Sequence, residues 1–416
     1  MRIAIDLTPL LPGGSNGGAK IMTLQLIKKL SQVAPENQYI LLASKKNARE
    51  LYPLKAKNIS IICTSAFSRF TLRNSVIFLT SMGMRLIEKL NILPTAILSR
   101  LMRKHHQLCS NFTAKDLSAA IKADLLFCPF TAPFYHRLNI PIVSIIYDLQ
   151  SYYYPHFFTP EERYERKKNF ESACLWAKKL ICISDFVKQT VLHNSYVKED
   201  SIKTIHIKSI NRLKLADNKK TVTFLNRYGL TENNFLLFPA NFWPHKNHQL
   251  LFTAFNIYRT QAPDTTLKLV CTGSENHYKH FLQNAVQDMG LSEHIIMPGY
   301  LSDENFAIFL ASCKAVIYPS LYEGFGMPIL EAMAAKKPVL CSSLTSMPEV
   351  AGNAALLFDP RKPTEIAEAI YRIQTEQDLI KSLIQRGLEH IVEFENENDM
   401  AKEYLQIFRS AIQVAS

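Results

Sequence analysis

None of the eight cysteines forms a Cys-x-x-Cys pair. They stand singly at 63, 109, 128, 174, 182, 271, 313 and 341, mostly within apolar runs such as 180–183. That pattern argues against a structural zinc site and predicts a reduced, cytoplasmic chain. Fixed-period repeats and low-complexity tracts are also missing, which excludes extensive disorder. Met1 is followed by Arg2, but Asp6 interrupts the apolar start and no small-residue cleavage site follows, so 1–11 does not resemble a secretory signal. It reads as a buried first strand. The formal charge is +12, yet zinc-finger spacing, an RNA-binding aromatic signature and a basic helix-turn-helix are all lacking, so no nucleic-acid partner is expected. No Asp-x-Asp metal motif occurs.

What is present is length and apolar content. A chain of 416 residues, 47% of them hydrophobic, exceeds what one core usually serves, and two domains are expected. Residues 2–7 (RIAIDL) predict a strand, 13–18 (GGSNGG) a loop, and 19–31 a helix carrying Ile21, Leu24, Ile27 and Leu30 on one face. Further strands are predicted at 38–43, 59–63, 124–128, 141–146 and 179–183. A polar, basic stretch, 208–221, reads as a linker. Strand alternating with helix then resumes, with strands at 235–239, 267–272, 295–298, 315–319 and 338–342. The expectation is α/β: two Rossmann-like, doubly wound parallel sheets facing a central cleft, where ligands meet the carboxyl ends of the strands. The domains are 1–207, with the C-terminal helix 396–416 returning to it, and 208–395. Met400, Tyr404, Ile407, Phe408 and Ile412 supply that helix with an apolar stripe.

The densest signal is Pro319–Ala334, PSLYEGFGMPILEAMA, following a predicted strand and opening a helix. Gly324 and Gly326 permit close backbone approach, Pro328 suits a first helical turn, and the free amides there favour an anion such as a diphosphate. Glu323 stands in the loop and Glu331 about one turn inside the helix, so both carboxylates could accept hydrogen bonds from one hydroxylated ligand. Lys246, in Pro244-His245-Lys246-Asn247 just after a strand, is placed to neutralise a leaving diphosphate.

The E-x7-E string, followed by Met347-Pro-Glu349-Val-Ala-Gly352, resembles glycosyltransferase family 4. The likeness continues through Gly299-Tyr300-Leu-Ser-Asp303, Thr272-Gly273 and Phe238–Asn247, and more weakly through Tyr147-Asp148-Leu149 and Ile183-Ser184. About residues 1–30 and 123–395 are covered. The resemblance implies the GT-B fold, retention of anomeric configuration, no bound metal or cofactor, and a nucleotide-sugar donor bound by the second domain. It further implies that Glu323 binds sugar hydroxyls, that amides from Gly324 through Phe325, Gly326 and Met327 to the Pro328 turn hold sugar and phosphate, and that Glu331 holds the ribose. Asn241, His245, Gly273 and Tyr300 fall at donor-binding positions, Tyr147 and Asp148 at catalytic ones, and Gly17, Gly18 and Lys20 in an acceptor or phosphate loop.

Two positions depart from the family's pattern. Asn241 stands where many members carry an arginine, and Tyr147-Asp148 replaces a His-Asp pair, which leaves open a catalytically degenerate protein that binds a sugar nucleotide or acts as a scaffold. His245 and His248, three apart, lack a carboxylate or cysteine to complete a metal set. The expected activity is transfer of a hexose, with GDP-mannose the first choice of donor, to a saccharide or lipid-linked acceptor in cell-surface polysaccharide synthesis, lipopolysaccharide included. In residues 67–108, Arg69, Arg73, Arg85, Lys89, Arg100, Arg103 and Lys104 face one acid, Glu88. The segment is expected to meet an anionic membrane surface from the cytoplasmic side, as a peripheral contact and not a span.

Overall fold

The computed structural model describes residues 1–12, 17–64, 117–208, 218–274 and 277–413. The membrane-facing expectation for 67–108 and residues 13–16 of the glycine loop lie outside these residues. Among the described residues no helix is long and apolar enough to cross a membrane.

Seven strands form the first sheet: β1 (Arg2–Asp6), β2 (Gln38–Ala43), β3 (Ile59–Cys63), β4 (Leu125–Cys128), β5 (Ile142–Ile146), β6 (Lys179–Cys182) and β7 (Ile202–Thr204). Their order is β3-β2-β1-β4-β5-β6-β7 and every pairing is parallel. Six form the second: β8 (Phe235–Pro239), β9 (Lys268–Thr272), β10 (Ile295–Gly299), β11 (Ala315–Tyr318), β12 (Val339–Ser342) and β13 (Leu356–Phe358), in the order β10-β9-β8-β11-β12-β13, again all parallel. The central strands are buried along their length, as both faces of a parallel sheet must be. Chain order reverses between β1 and β4, and again between β8 and β11. These two switch points open the crevices where ligands of such sheets bind.

Most predicted strands stand within a residue or two of their expected places. The edge strands β7 and β13, three residues each, are absent from the sequence reading: β7 (IKT) carries no apolar run, whereas β13 closes the apolar run 354–358, which is too short to mark a strand by periodicity. The first helix spans Gly17–Val33 and buries Met22, Thr23, Leu26, Ile27 and Leu30. Ile21, assigned above to its inner face, is exposed; the buried stripe is rotated by about one residue.

The last helix, Glu397–Gln413, leaves the second domain and packs on the first. It lies along the helix Gly17–Val33 and against β4 and β5. Tyr404 and Phe408 reach Phe127 of β4 at ring-centroid separations of 5.8 and 5.1 Å, and Lys29 pairs with Glu397 at 3.1 Å. Met400, Tyr404 and Phe408 are buried, while Ile407 and Ile412 are only partly so. One chain segment therefore ties the two domains together. Phe408→Ala is expected to destabilise the protein by ~3–5 kcal/mol, the cost of removing a fully buried ring. Denaturant unfolding of the variant measures this; a loss below about 1 kcal/mol would mean that the helix contributes little to the first domain's core.

Candidate active site

Because β8 and β11 are neighbours, the loops that follow them meet. Lys246 lies after β8 and Glu323 after β11, and the ammonium and carboxylate are in ion-pair contact at 2.5 Å. Lys246 also donates to the Tyr318 hydroxyl at 2.9 Å. The two side chains are 13% and 14% exposed. Burial alone opposes charge on both groups, but each offsets it for the other. Glu323 is held below the usual carboxylate value by Lys246, and Lys246 is held above the usual ammonium value by Glu323 and Tyr318. At neutral pH the pair is fully charged.

Its backbone is fixed from several directions. Asn247 adopts the left-handed conformation, φ 67°, and donates to the carbonyls of Pro319 and Pro360 at 3.2 and 2.8 Å. The His245 carbonyl accepts from Leu321 N–H at 2.8 Å. The Glu323 N–H donates to Thr345 Oγ1 at 3.2 Å, and Ser346 Oγ lies within hydrogen-bond distance of the Glu323 and Phe325 carbonyls. Gly326, at φ 111°, begins the helix Met327–Ala334. Few side chains tolerate that backbone, and no side chain caps this helix, whose Pro328 has no N–H and whose Ile329 N–H donates to the Gly326 carbonyl at 3.0 Å. Phe325 is buried under the loop, Met327 half-buried, and Glu331 buried within the helix. His245 is neutral at physiological pH, since burial and then Lys246 push its pKa down to about 3.

The first domain closes against this loop. A Cβ at Gly324 would collide with the carbonyl of Tyr147 and touch the side chain of Asp148, so only glycine permits the approach. Asp148 itself stands 3.9 Å from Arg166. Ser184 Oγ donates to the Gly324 carbonyl at 2.7 Å. The Tyr322 ring is packed among Tyr153, Tyr154 and Phe186 of the first domain, and its hydroxyl accepts from Leu149 N–H at 3.3 Å. Glu349 crosses to the first domain as well, accepting from the N–H groups of Asp185 and Phe186 at 2.7 and 2.9 Å. Sequence reasoning gives Ser184, Tyr322, Ser346 and Glu349 no role, although Ser184, Tyr322 and Glu349 stand within the quoted strings.

Other candidates are engaged elsewhere. The Tyr147 hydroxyl is hydrogen-bonded to the Thr23 hydroxyl, 3.3 Å away on the first helix, so this side chain faces its own domain while its carbonyl faces the cleft. Asn241 Oδ1 accepts from Ser274 N–H at 2.8 Å, holding together the loops after β8 and β9. There Gly273 packs so tightly that a Cβ would strike Ala240 and Asn241. Lys20 pairs with Glu50 at 2.8 Å, whereas Gly17 and Gly18 face open space. Tyr300, after β10, is exposed, and His248 is buried against Phe238 and Phe242.

Residues 223–390 match the family described as Glycosyl transferases group 1. Over 265 residues the chain is 27% identical to O-antigen chain mannosyltransferase B of Escherichia coli, covering 63% of this chain and 68% of that protein. Similarity to O-antigen chain mannosyltransferase RfbU of Salmonella typhimurium is also 27%, over 56% of this chain and 61% of that one. Among solved structures, Anabaena Alr3699/HepE in complex with UDP and glucose superposes with a TM-score of 0.70 at 15% identity, covering 98% of both chains. Sucrose-phosphate synthase from Thermosynechococcus elongatus gives 0.70 at 18%, over 100% and 99%. These likenesses support a glycosyltransferase family 4-like protein, and the two parallel-sheet domains with their structural neighbours have the GT-B fold. In this GT-B protein the matched family region contains both Lys246 and Glu323.

The ion pair makes a pH prediction for stability. Lys246→Met leaves Glu323 buried without its cation, and burial then raises its pKa above the unfolded value of 4.5. The folded variant thus holds a proton that the unfolded chain has released. Its stability is greatest below the unfolded pKa and falls as pH rises through the raised folded one. In the parent, Glu323 is held low and no such loss occurs over that interval. Melting temperatures of both proteins from about pH 4 to about pH 8 test this; parallel curves would mean that Lys246 does not govern Glu323.

Proposed function

We propose that this protein is a retaining, metal-independent hexosyltransferase. In this reading it moves a hexose, with mannose the first choice, from a nucleotide-sugar donor such as GDP-mannose to a saccharide or lipid-linked acceptor in cell-surface polysaccharide synthesis. The observation that carries the reading is the charged Lys246–Glu323 pair beside an uncapped helix N-terminus at the second domain's switch point, facing the first domain. The relatives' names as O-antigen mannosyltransferases support the choice of sugar and pathway class.

The chemistry follows from charge. As the bond between the sugar and the diphosphate breaks, negative charge gathers on the departing phosphate. The Lys246 ammonium and the positive end of the helix Met327–Ala334 are placed to stabilise it. Glu323, still ionised, accepts hydrogen bonds from donor-sugar hydroxyls and holds the ring in place, while Glu331 takes the ribose hydroxyls. His245, being neutral, adds no charge and can donate one hydrogen bond. Oriented dipoles and a fixed ammonium supply the positive potential that a metal would otherwise give.

A panel of nucleotide sugars offered to the purified protein with saccharide and lipid-linked acceptors identifies the donor. Glu323→Gln and Glu331→Ala are each expected to reduce transfer at least ~10-fold, since each removes a charged acceptor from a desolvated site. Turnover should persist in chelator. Parental rates in both variants, or complete loss in EDTA with recovery on adding magnesium or manganese, would refute these assignments.

The same reading places the protein at the inner face of the cell membrane, with the basic 67–108 segment contacting anionic lipid. Co-flotation with vesicles containing phosphatidylglycerol should weaken as salt rises and drop when Arg85, Lys89, Arg100 and Arg103 become Glu. No co-flotation at low salt would remove this contact from the account.

A further inference from the structure

The helix Asp185–Asn194 of the first domain begins with three amides that its own backbone cannot satisfy. Ser184, its N-cap, takes the third, accepting from Val187 N–H at 3.2 Å. The first two, from Asp185 and Phe186, go to the two carboxylate oxygens of Glu349 in the other domain. The negative charge sits where the helix dipole favours it. His206 Nε2 lies 2.7 Å from Glu349 Oε1.

We infer that Glu349 is a positioning residue, which latches the second domain to the first by capping this helix and thereby sets where Glu323 stands. The connection is short. Ser346, three residues before Glu349, holds the Glu323 and Phe325 carbonyls, and Thr345 receives the Glu323 N–H. From the other side Ser184 grips the Gly324 carbonyl. One helix start therefore contacts both the loop and the segment that orients it, so separation at Glu349 moves Glu323 relative to the first domain. Asp185, His206 and Glu349 also have the composition of a metal-ligand set. Both Glu349 oxygens, however, already accept N–H donors, and the positive end of a helix disfavours a cation.

This inference rests on the transferase reading, so its test includes an arm that needs no turnover. In small-angle scattering without donor, the parent should be closed and Glu349→Ala should show a larger radius of gyration at an unchanged melting temperature. In transfer assays the same variant should lose ~10-fold or more in kcat, while KM for the donor changes less than about twofold, because the donor's own contacts lie in the second domain. Glu349→Gln keeps one acceptor oxygen and should recover most of both properties; it also serves where the alanine variant fails to fold. A folded Glu349→Ala with the parental scattering profile would overturn the latch, even if its activity fell. Expansion with parental kcat would overturn the positioning role. If the parent transfers from no donor, the scattering comparison still decides the latch.

Discussion

A lysine and a glutamate that share a nearly dry space constrain the loops that bring them there. Loss of hydration opposes charge on both Lys246 and Glu323. Together they stay ionised, provided that the loops after β8 and β11 keep their relative position. That requirement accounts for the number of backbone restraints nearby. Asn247 turns left-handed and bridges to Pro319 and Pro360, His245 holds Leu321 through its carbonyl, and Thr345 and Ser346 hold Glu323 from the next loop. A buried pair is weak evidence for stability but a strict condition on geometry, since removing one partner leaves the other's charge uncompensated.

The contact between the domains has a different character. It combines polar pairs, the close backbone approach of Gly324 to Tyr147, and aromatic contacts, among them Tyr322 between Tyr153, Tyr154 and Phe186, and His206 against Phe325 and Phe394. Such interfaces suit reversible docking better than permanent association. The C-terminal helix bears on the opposite requirement. Tyr404 and Phe408 are buried in the first domain's core, so the domains remain tethered however the cleft moves. A permanent tie and a lighter, polar closure are what an enzyme needs to admit a donor and then exclude water.

Much of this is legible in the sequence where a short string carries its own geometry. PSLYEGFGMPILEAMA names the loop, the glycines and the helix start together, and the apolar runs of central strands mark a doubly wound sheet. What the sequence does not disclose is choice of partner. Lys20, Asn241 and Tyr147 read by type as cleft residues, yet Glu50, Ser274 and Thr23 engage them. Glu349 and Ser184 stand in quoted motifs without a role, because their partners lie across the interface, 164 and 140 residues away in the chain. Local propensity carries no information about such pairings. The edge strands β7 and β13 escape for a related reason: their place depends on the neighbour that each extends.

The ion pair also bears on how a donor could bind without first breaking it. An ammonium has three donors. Lys246 uses one on Glu323 and one on Tyr318, which leaves a third for a phosphate oxygen. Glu323 uses one oxygen on Lys246, and a carboxylate offers about four lone-pair sites, so sugar hydroxyls can be received while the pair persists. An incoming diphosphate adds negative charge beside Glu323, and neutral His245 cannot offset it. In the proposed reaction the balance falls on Lys246 and on the positive end of the helix beginning at Met327. Unlike a mobile counterion, the helix dipole and the Lys246 ammonium, held by Glu323 and Tyr318, have fixed directions before a donor arrives, so little reorganisation would be required as charge moves onto a leaving phosphate.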